Sequence, residues 1–307
     1  MYKRLLLVMV CGFLLVACGG AANTTPTATA VPPSPTVIPS PTQIPVTLLA
    51  EKDLETQTGT SYSLDWSADC ETLAIASGVE LTLLRNDLSE PIAVLKPETG
   101  AIDAAWSPDQ KTFATVYGYR NPMFTIWDWD NASAKLTLVQ QIPASSDLYS
   151  VSWSPDGKLL AILANDRKSV IQIWDTSTWE LLNRFDLPYA NPRRALDWSA
   201  DGKTIYDAGE LNGEVVYYTL NVDDGSVQEL GKLPIAEVYT FTVSPDLKKI
   251  VIADESGRAQ ILEMGSGKLL AEFQSVAAPA DFAWNPKNGT LAILGYETAL
   301  QLWSVSQ

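Results

Sequence analysis

Histidine is absent from all 307 residues. That removes the usual general base near neutral pH and the commonest transition-metal ligand. Ser-His-Asp chemistry, Cys-His chemistry and His-containing zinc sites are therefore excluded. Cysteine is scarce, with only Cys11, Cys18 and Cys70. Basic residues are few: 21 Lys and Arg stand against 36 Asp and Glu, a net charge of −15. Nucleic-acid phosphate is bound by Lys and Arg that displace counterions, so a polyanion of this kind is not expected to bind nucleic acid. The charge favours solubility and can steer cationic partners. Long apolar runs are lacking too. Leu5 to Val16 falls short of the roughly 20 residues that a membrane-spanning helix needs. No stretch has the periodicity of an amphipathic helix.

What is present begins with an address. Lys3-Arg4 precedes the uncharged run LLLVMVCGFLLVA and then Cys18. A positive start followed by about a dozen apolar residues has the form of a secretory signal. Leu15-Val16-Ala17-Cys18 resembles the lipobox of bacterial lipoproteins. The resemblance implies diacylglycerol on the Cys18 sulfur, cleavage before Cys18, and acylation of the exposed amine. Several acyl chains give lasting membrane attachment where one gives only marginal binding. Gly19 follows the cysteine, so the resemblance gives no inner-membrane retention signal. Removal of Lys3 and Arg4 with the signal leaves 19 basic against 36 acidic residues, a net charge of −17. Cys11 leaves with the signal and Cys18 is acylated, so Cys70 has no intrachain disulfide partner.

From Ala21 to Val46 the chain carries seven Pro and six Thr, with no charge and no Gly. Such a run buries too little apolar surface to fold, and its prolines favour extended polyproline II. At about 3.1 Å per residue it reaches roughly 80 Å. The expected organisation is a signal at 1–17, a lipidated cysteine with a Pro/Thr-rich linker at 18–46, and a folded domain at 47–307.

Across the folded domain a single phrase recurs six times. It reads LDWSADCETLAI around Trp66, AAWSPDQKTFAT around Trp106, VSWSPDGKLLAI around Trp153, LDWSADGKTIYD around Trp198, FTVSPDLKKIVI around Val243 and FAWNPKNGTLAI around Trp284. The anchors lie 40, 47, 45, 45 and 41 residues apart. A period of about 40–45 residues belongs to propellers with one four-stranded sheet per repeat. An apolar residue follows each anchor by seven positions, and a polar turn lies between, often with Pro two residues after the anchor. Pro presets φ for a type I turn, and Asp, Asn and Gly suit its remaining positions. Each phrase thus reads as strand, tight turn, strand. Third runs such as FTIWDWD and VIQIWDT follow, then weaker fourth runs such as ELLNRFDL.

Trp127-Asp128 and Trp174-Asp175, each after a WSPD phrase, give the chain a resemblance to the WD-repeat family of β-propellers. The family's Gly-His dipeptide is missing, so its histidine-centred hydrogen-bonded tetrad cannot form. Repeat five replaces the anchor Trp with Val243. TolB-like propellers, usually six-bladed, share the SPDG phrase and are the close alternative. The expected fold is all-β, a six-bladed β-propeller of four-stranded antiparallel blades. Seven blades would need a repeat that the sequence does not show. The last repeat ends just after its third strand, and a blade without its outer strand exposes an edge. Val46 to Thr56, VTLLAEKDLET, has strand character and is expected to supply that strand and close the ring.

Inner-strand positions two before each anchor are apolar: Leu64, Ala104, Val151, Leu196, Phe241 and Phe282. Alternate positions are small or polar and face the other way. Asp65, Asp103, Asp197 and Asp281 lie there and are expected beside the axis. They fit either a hard cation such as Ca²⁺, which takes oxygen ligands, or a water-filled channel with solvated or internally bonded carboxylates. Asp223-Asp224-Gly225 reads as a hairpin turn in preference to a metal loop. Tyr62, Tyr149, Arg194 and Tyr239 fall where inner strands begin. Nearby loops add Tyr119, Arg120, Asp147, Tyr189, Arg193 and Tyr296. Tyr and Arg are enriched in binding hot spots, although the same residues also pack strand ends.

The leading expectation is a membrane-anchored extracytoplasmic lipoprotein of the bacterial cell envelope. Its monomeric propeller would act as a protein-binding or scaffolding module, without cofactor or catalysis. The role given to the propeller is an analogy from fold, and fold does not fix function. The alternatives are a small-ligand or Ca²⁺ sensor and a carboxylate-dependent glycan hydrolase, which would need two acids at a set separation.

Overall fold

The computed structural model describes residues 43–54, 63–96, 100–118, 121–165, 167–189, 196–234, 238, 240–297 and 299–306. Pro41–Gln307 forms one compact unit. Among the described residues every element is a strand, and all belong to six antiparallel sheets of four.

Strand β1 (Val46–Asp53) comes first in the chain. Blade 1 holds β2 (Ser63–Trp66), β3 (Thr72–Ala76), β4 (Leu81–Arg85) and β5 (Pro91–Leu95). Blade 2 holds β6 (Asp103–Trp106), β7 (Thr112–Tyr117), β8 (Met123–Asp130) and β9 (Lys135–Pro143). Blade 3 holds β10 (Asp147–Trp153), β11 (Leu159–Asn165), β12 (Ser169–Asp175) and β13 (Leu181–Asp186). Blade 4 holds β14 (Asp197–Trp198), β15 (Thr204–Leu211), β16 (Glu214–Asn221) and β17 (Val227–Lys232). Blade 5 holds β18 (Thr240–Val243), β19 (Lys249–Ala253), β20 (Arg258–Glu263) and β21 (Leu269–Gln274). Blade 6 holds β22 (Pro279–Trp284), β23 (Thr290–Gly295) and β24 (Ala299–Val305), with β1 as its outermost strand. The architecture is a six-bladed β-propeller, as the repeat implies.

Closure follows the edge argument. β1 pairs antiparallel with β24 from Val46↔Val305 to Asp53↔Ala299, with a bulge between Leu48 and Ala50. The hydrogen bond from Ser306 N to Pro45 O, 3.1 Å, extends the pairing. Ile44 lies in the stretch assigned by composition to the linker, yet its backbone N–H donates to Leu270 O at 2.9 Å. Its side chain packs on the apolar cluster between blades 5 and 6. An apolar β-branched residue beside a free strand edge gains more from burial than proline content alone suggests.

The tight turns show why the phrase recurs. In blade 3, Ser154 Oγ donates to Asp156 Oδ1 at 2.8 Å, and Leu159 N donates to Ser154 Oγ at 2.9 Å. Lys158 N donates to Asp156 Oδ1 at 3.1 Å. The same Ser-x-Asp arrangement recurs in four other blades. The residue after the Asp is left-handed: Gly157 has φ 71° and Gly202 φ 68°, while Cys70, Gln110 and Leu247 adopt it without being glycine. Gly225 closes its own hairpin with φ 72°, and Asp223 N bonds to Asn221 Oδ1, so Asp223-Asp224-Gly225 is a turn.

Six apolar clusters fill the six seams between neighbouring blades. Each second strand is covered on both faces, so runs such as TLAIA in β3 and LLAILAN in β11 are apolar almost throughout. Each blade thereby depends on its neighbours, and the ring shares one discontinuous core.

Candidate functional site

The inner strands enclose a central cavity of 220 Å³ lined by Asp65, Asp103, Asp197 and Asp281. These carboxylates are tied to the next blade around the ring. Asp65 Oδ2 accepts from Trp106 N at 2.8 Å, and Asp103 Oδ2 from Val151 N at 2.8 Å. Asp197 Oδ2 accepts from Val243 N at 2.9 Å, and Asp281 Oδ2 from Leu64 N at 2.9 Å. Asp103 also accepts from Ser63 Oγ and from Ala104 N. The tryptophan anchors return the bond. Trp66 Nε1 donates to Ala283 O at 3.2 Å, Trp153 Nε1 to Ala105 O at 3.1 Å, and Trp198 Nε1 to Ser152 O at 3.3 Å. The phrase therefore laces adjacent inner strands in both directions, across the join of blade 6 to blade 1 as well.

Each channel carboxylate is thus hydrogen-bonded within the ring. Burial lifts the Asp65 carboxyl to about 7, with the nearby Asp103 charge adding to the rise, against its backbone hydrogen bonds. Burial likewise lifts Asp197 to about 6 and raises Asp103. Among the described residues no three His, Cys, Asp or Glu side chains are grouped as a metal site requires.

The tyrosine and arginine set fares unevenly. Tyr149 is half-buried and packs on the cluster between blades 3 and 4. Asp147 and Tyr296 are also half-buried. Tyr189, expected on an exposed partner surface, is instead 4% exposed. Its hydroxyl donates to the buried Asp207 carboxylate, and its ring stacks on Tyr218 with centroids 4.9 Å apart. The reason is chemical: Asp207 is buried, its carboxyl is driven well above the usual range, and it needs a polar partner. Gly209 leaves room for the ring, since a Cβ there would stand 1.9 Å from Tyr189 Cδ2. Tyr189 is a packing residue. Cys18, Tyr62, Tyr119, Arg120, Arg193, Arg194 and Tyr239 lie outside the described residues.

The tryptophans of the third strands make local bonds. Trp174 Nε1 donates to Gln172 Oε1 at 3.1 Å, and Trp303 Nε1 to Gln301 Oε1 at 3.0 Å. Trp127 Nε1 donates to Thr125 Oγ1 at 2.8 Å. Buried Gln and Thr two residues earlier thus occupy the indole in a chain without histidine. Residues 77–210 match the family described as Eukaryotic translation initiation factor eIF2A. That family is WD40-like, and the match runs from just after β3 into β15, across blades 1 to 4. It covers less than half of the chain and includes the anchors Trp106, Trp153 and Trp198. No curated protein matches the chain significantly.

Sequence reasoning missed one feature: a cleft between blades 1 and 2, on the side of the Ser-x-Asp turns. Its volume is 1080 Å³, and Trp106, Trp129, Arg85, Lys111 and Asp128 are among its walls. The available signal was the second Trp-Asp pair of IWDWD, unique to repeat two.

Proposed function

We propose that this chain is an extracytoplasmic bacterial lipoprotein, acylated at Cys18, whose WD-repeat-like propeller serves as a protein-binding or scaffolding module at the cell envelope. The observation that carries the binding role is the laced, closed ring, a rigid platform with two loop-bearing faces. The carboxylates that could suggest acid–base chemistry, the half-buried Asp65 and Asp197 and the buried Asp103 and Asp207, are engaged in hydrogen bonds between or within blades. That favours a non-catalytic role. The eIF2A match supports the propeller and is not carried further: the chain's surplus of acid disfavours nucleic acid. Anchoring rests on Lys3-Arg4, the apolar run and Leu15-Val16-Ala17-Cys18, with the Pro/Thr-rich stretch as the spacer.

Two experiments test the two halves of this reading. Metabolic labelling with an alkyne fatty acid should mark the wild-type chain and leave Cys18→Ala unmarked; equal labelling of both rejects the anchor. Crosslinking in native membranes should recover a partner with the wild type. A combined Tyr149→Ala, Arg194→Ala, Tyr239→Ala variant that stays folded should lose it. Unchanged capture rejects the face on which inner strands begin.

A further inference from the structure

In blades 1 to 4 the hairpin joining third and fourth strands carries one left-handed residue beside the seam with the preceding blade, whereas that of blade 5 carries two, Gly265 and Gly267. In blade 1 it is Leu88, φ 58°, buried in the cluster between blades 6 and 1. In blade 3 it is Trp179, φ 57°, whose ring meets Trp153 edge-on at 6.2 Å and Phe124 of blade 2 at 6.4 Å. In blade 4 it is Gly225, and the Phe185 ring of blade 3 fills the space, 2.6 Å from where a Cβ would stand. In blade 2 the position holds Ala134, φ 50°. A methyl group fills far less than leucine or tryptophan, and here the 1080 Å³ cleft opens. Ligand pockets commonly measure about 300–1,000 Å³.

The cleft is more than a gap in packing. Trp129 in its floor is 8% exposed, yet its indole N–H has no acceptor among the described residues, and the atom is not sealed from solvent as the unpaired Trp106 Nε1 is. Trp129 sits edge-on to Trp106, with centroids 6.2 Å apart, which fixes its orientation. Trp129 lines the cleft, so its unpaired, solvent-accessible N–H is available to a ligand acceptor there.

The other walls decide the ligand's chemistry. Five carboxylates and two cations give the cleft a charge of −3, which repels an anion. Asp69 and Asp109 each commit one oxygen, Oδ1, to their turns, and both Asp130 oxygens accept bonds from Ala132 N and Ser133 Oγ. Glu71 accepts from Asn86 Nδ2 at 3.1 Å. Three charged groups of the lining remain without hydrogen bonds or ion pairs among the described residues: Asp128, Arg85 and Lys111. A cationic ligand would be drawn by the net charge yet would leave the guanidinium, the ammonium and the indole N–H unmatched. Hydroxyl groups both donate and accept. An uncharged polyhydroxylated ligand is matched by Asp128 on one side and by Arg85, Lys111 and Trp129 on the other.

We propose that the cleft between blades 1 and 2 binds a neutral oligosaccharide. The site stands apart from the face considered for protein partners and does not depend on the membrane anchor. The molecule supplies the design of the blocking variant: Ala134→Trp reproduces Trp179, at a position with nearly the same backbone angle. Titration calorimetry with cellotriose, maltotriose and triacetylchitotriose should show sub-millimolar binding of at least one to the intact chain. Ala134→Trp should weaken it at least tenfold with an unchanged thermal midpoint. Trp129→Phe keeps an aromatic ring against Trp106 and removes the N–H together with part of the indole's surface; it should weaken binding at least about five- to tenfold, the worth of one hydrogen bond, and it decides the matter if Ala134→Trp fails to fold. Absence of binding by all three sugars, or full affinity in both folded variants, overturns the proposal. So does binding of trilysine in place of every sugar.

Discussion

Lowering the pH from 8 to 5 should stabilise this propeller. Asp65 titrates at about 7 and Asp197 at about 6 in the folded chain, because burial beside the axis disfavours their charge. Their reference value is 3.8. A carboxyl raised on folding binds its proton more tightly when native. Its stabilisation is fully present below the unfolded value and is lost as pH rises through the folded one. One pKa unit is worth about 1.4 kcal/mol. At pH 5, Asp65 lies about two units below its folded value and Asp197 about one, giving a ceiling of about 4 kcal/mol for the pair. Both side chains retain some contact with channel water, so about half that gain is expected. The turn carboxylates Asp109, Asp156, Asp201 and Asp246 are held below the usual range by their Ser and backbone hydrogen bonds. Their contribution is flat between pH 5 and 8 and fails only below pH 4. Urea unfolding at pH 5, 6, 7 and 8 should give a midpoint that rises steadily toward pH 5. Asp65→Asn, which keeps an acceptor for Trp106 N, should remove the larger share of the slope. A flat or falling midpoint, or an Asn variant with the full wild-type slope, refutes the account of the channel carboxylates.

Four further outcomes follow from the packing. Gly157→Ala should lower stability by about 1 kcal/mol in chemical denaturation: nothing crowds its Cβ, and the cost is left-handed backbone alone. Gln110→Gly, at the corresponding turn position, should change stability by less than about 1 kcal/mol, because relief of the left-handed backbone is offset by loss of the Gln110 amide bonds to Asp69 across the seam. Tyr189→Phe should cost about 1–3 kcal/mol by leaving Asp207 without its hydroxyl partner, and a loss no greater than that of an exposed Tyr→Phe control would contradict the pairing. A chain beginning at residue 54 should aggregate or unfold, because β24 loses its partner strand and bares an edge; a monomeric, soluble product with the full-length midpoint would show that β1 does not close the ring.

Much of the fold could be read directly from the chain. Strand, turn, strand is written in each WSPDG-like phrase because alternation, Pro and left-handed Gly are local constraints, set by neighbouring residues. The blade count follows from the period, and the closing role of Val46–Asp53 from an edge that would otherwise stay bare. The Asp223-Asp224-Gly225 turn needed nothing beyond its own residues. The channel aspartates could be placed near the axis by alternation. Their bonds to the next blade could not, since the acceptor and donor are separated by 41 to 48 residues, or by 217 residues at the join of blade 6 to blade 1.

Tertiary structure alone decided the rest. Tyr189 reads as a hot-spot residue until Asp207 and the notch at Gly209 are brought against it from another strand. Ala134 is inconspicuous in sequence, and only its position opposite a seam, where a neighbouring blade places Trp179, gives its small size a consequence. Local turns and strand periods are governed by backbone sterics within a few residues, so the sequence determines them by itself. Partners for buried polar groups, and the space left where a side chain is short, depend on which distant surfaces meet, and that is settled only when the blades close into a ring.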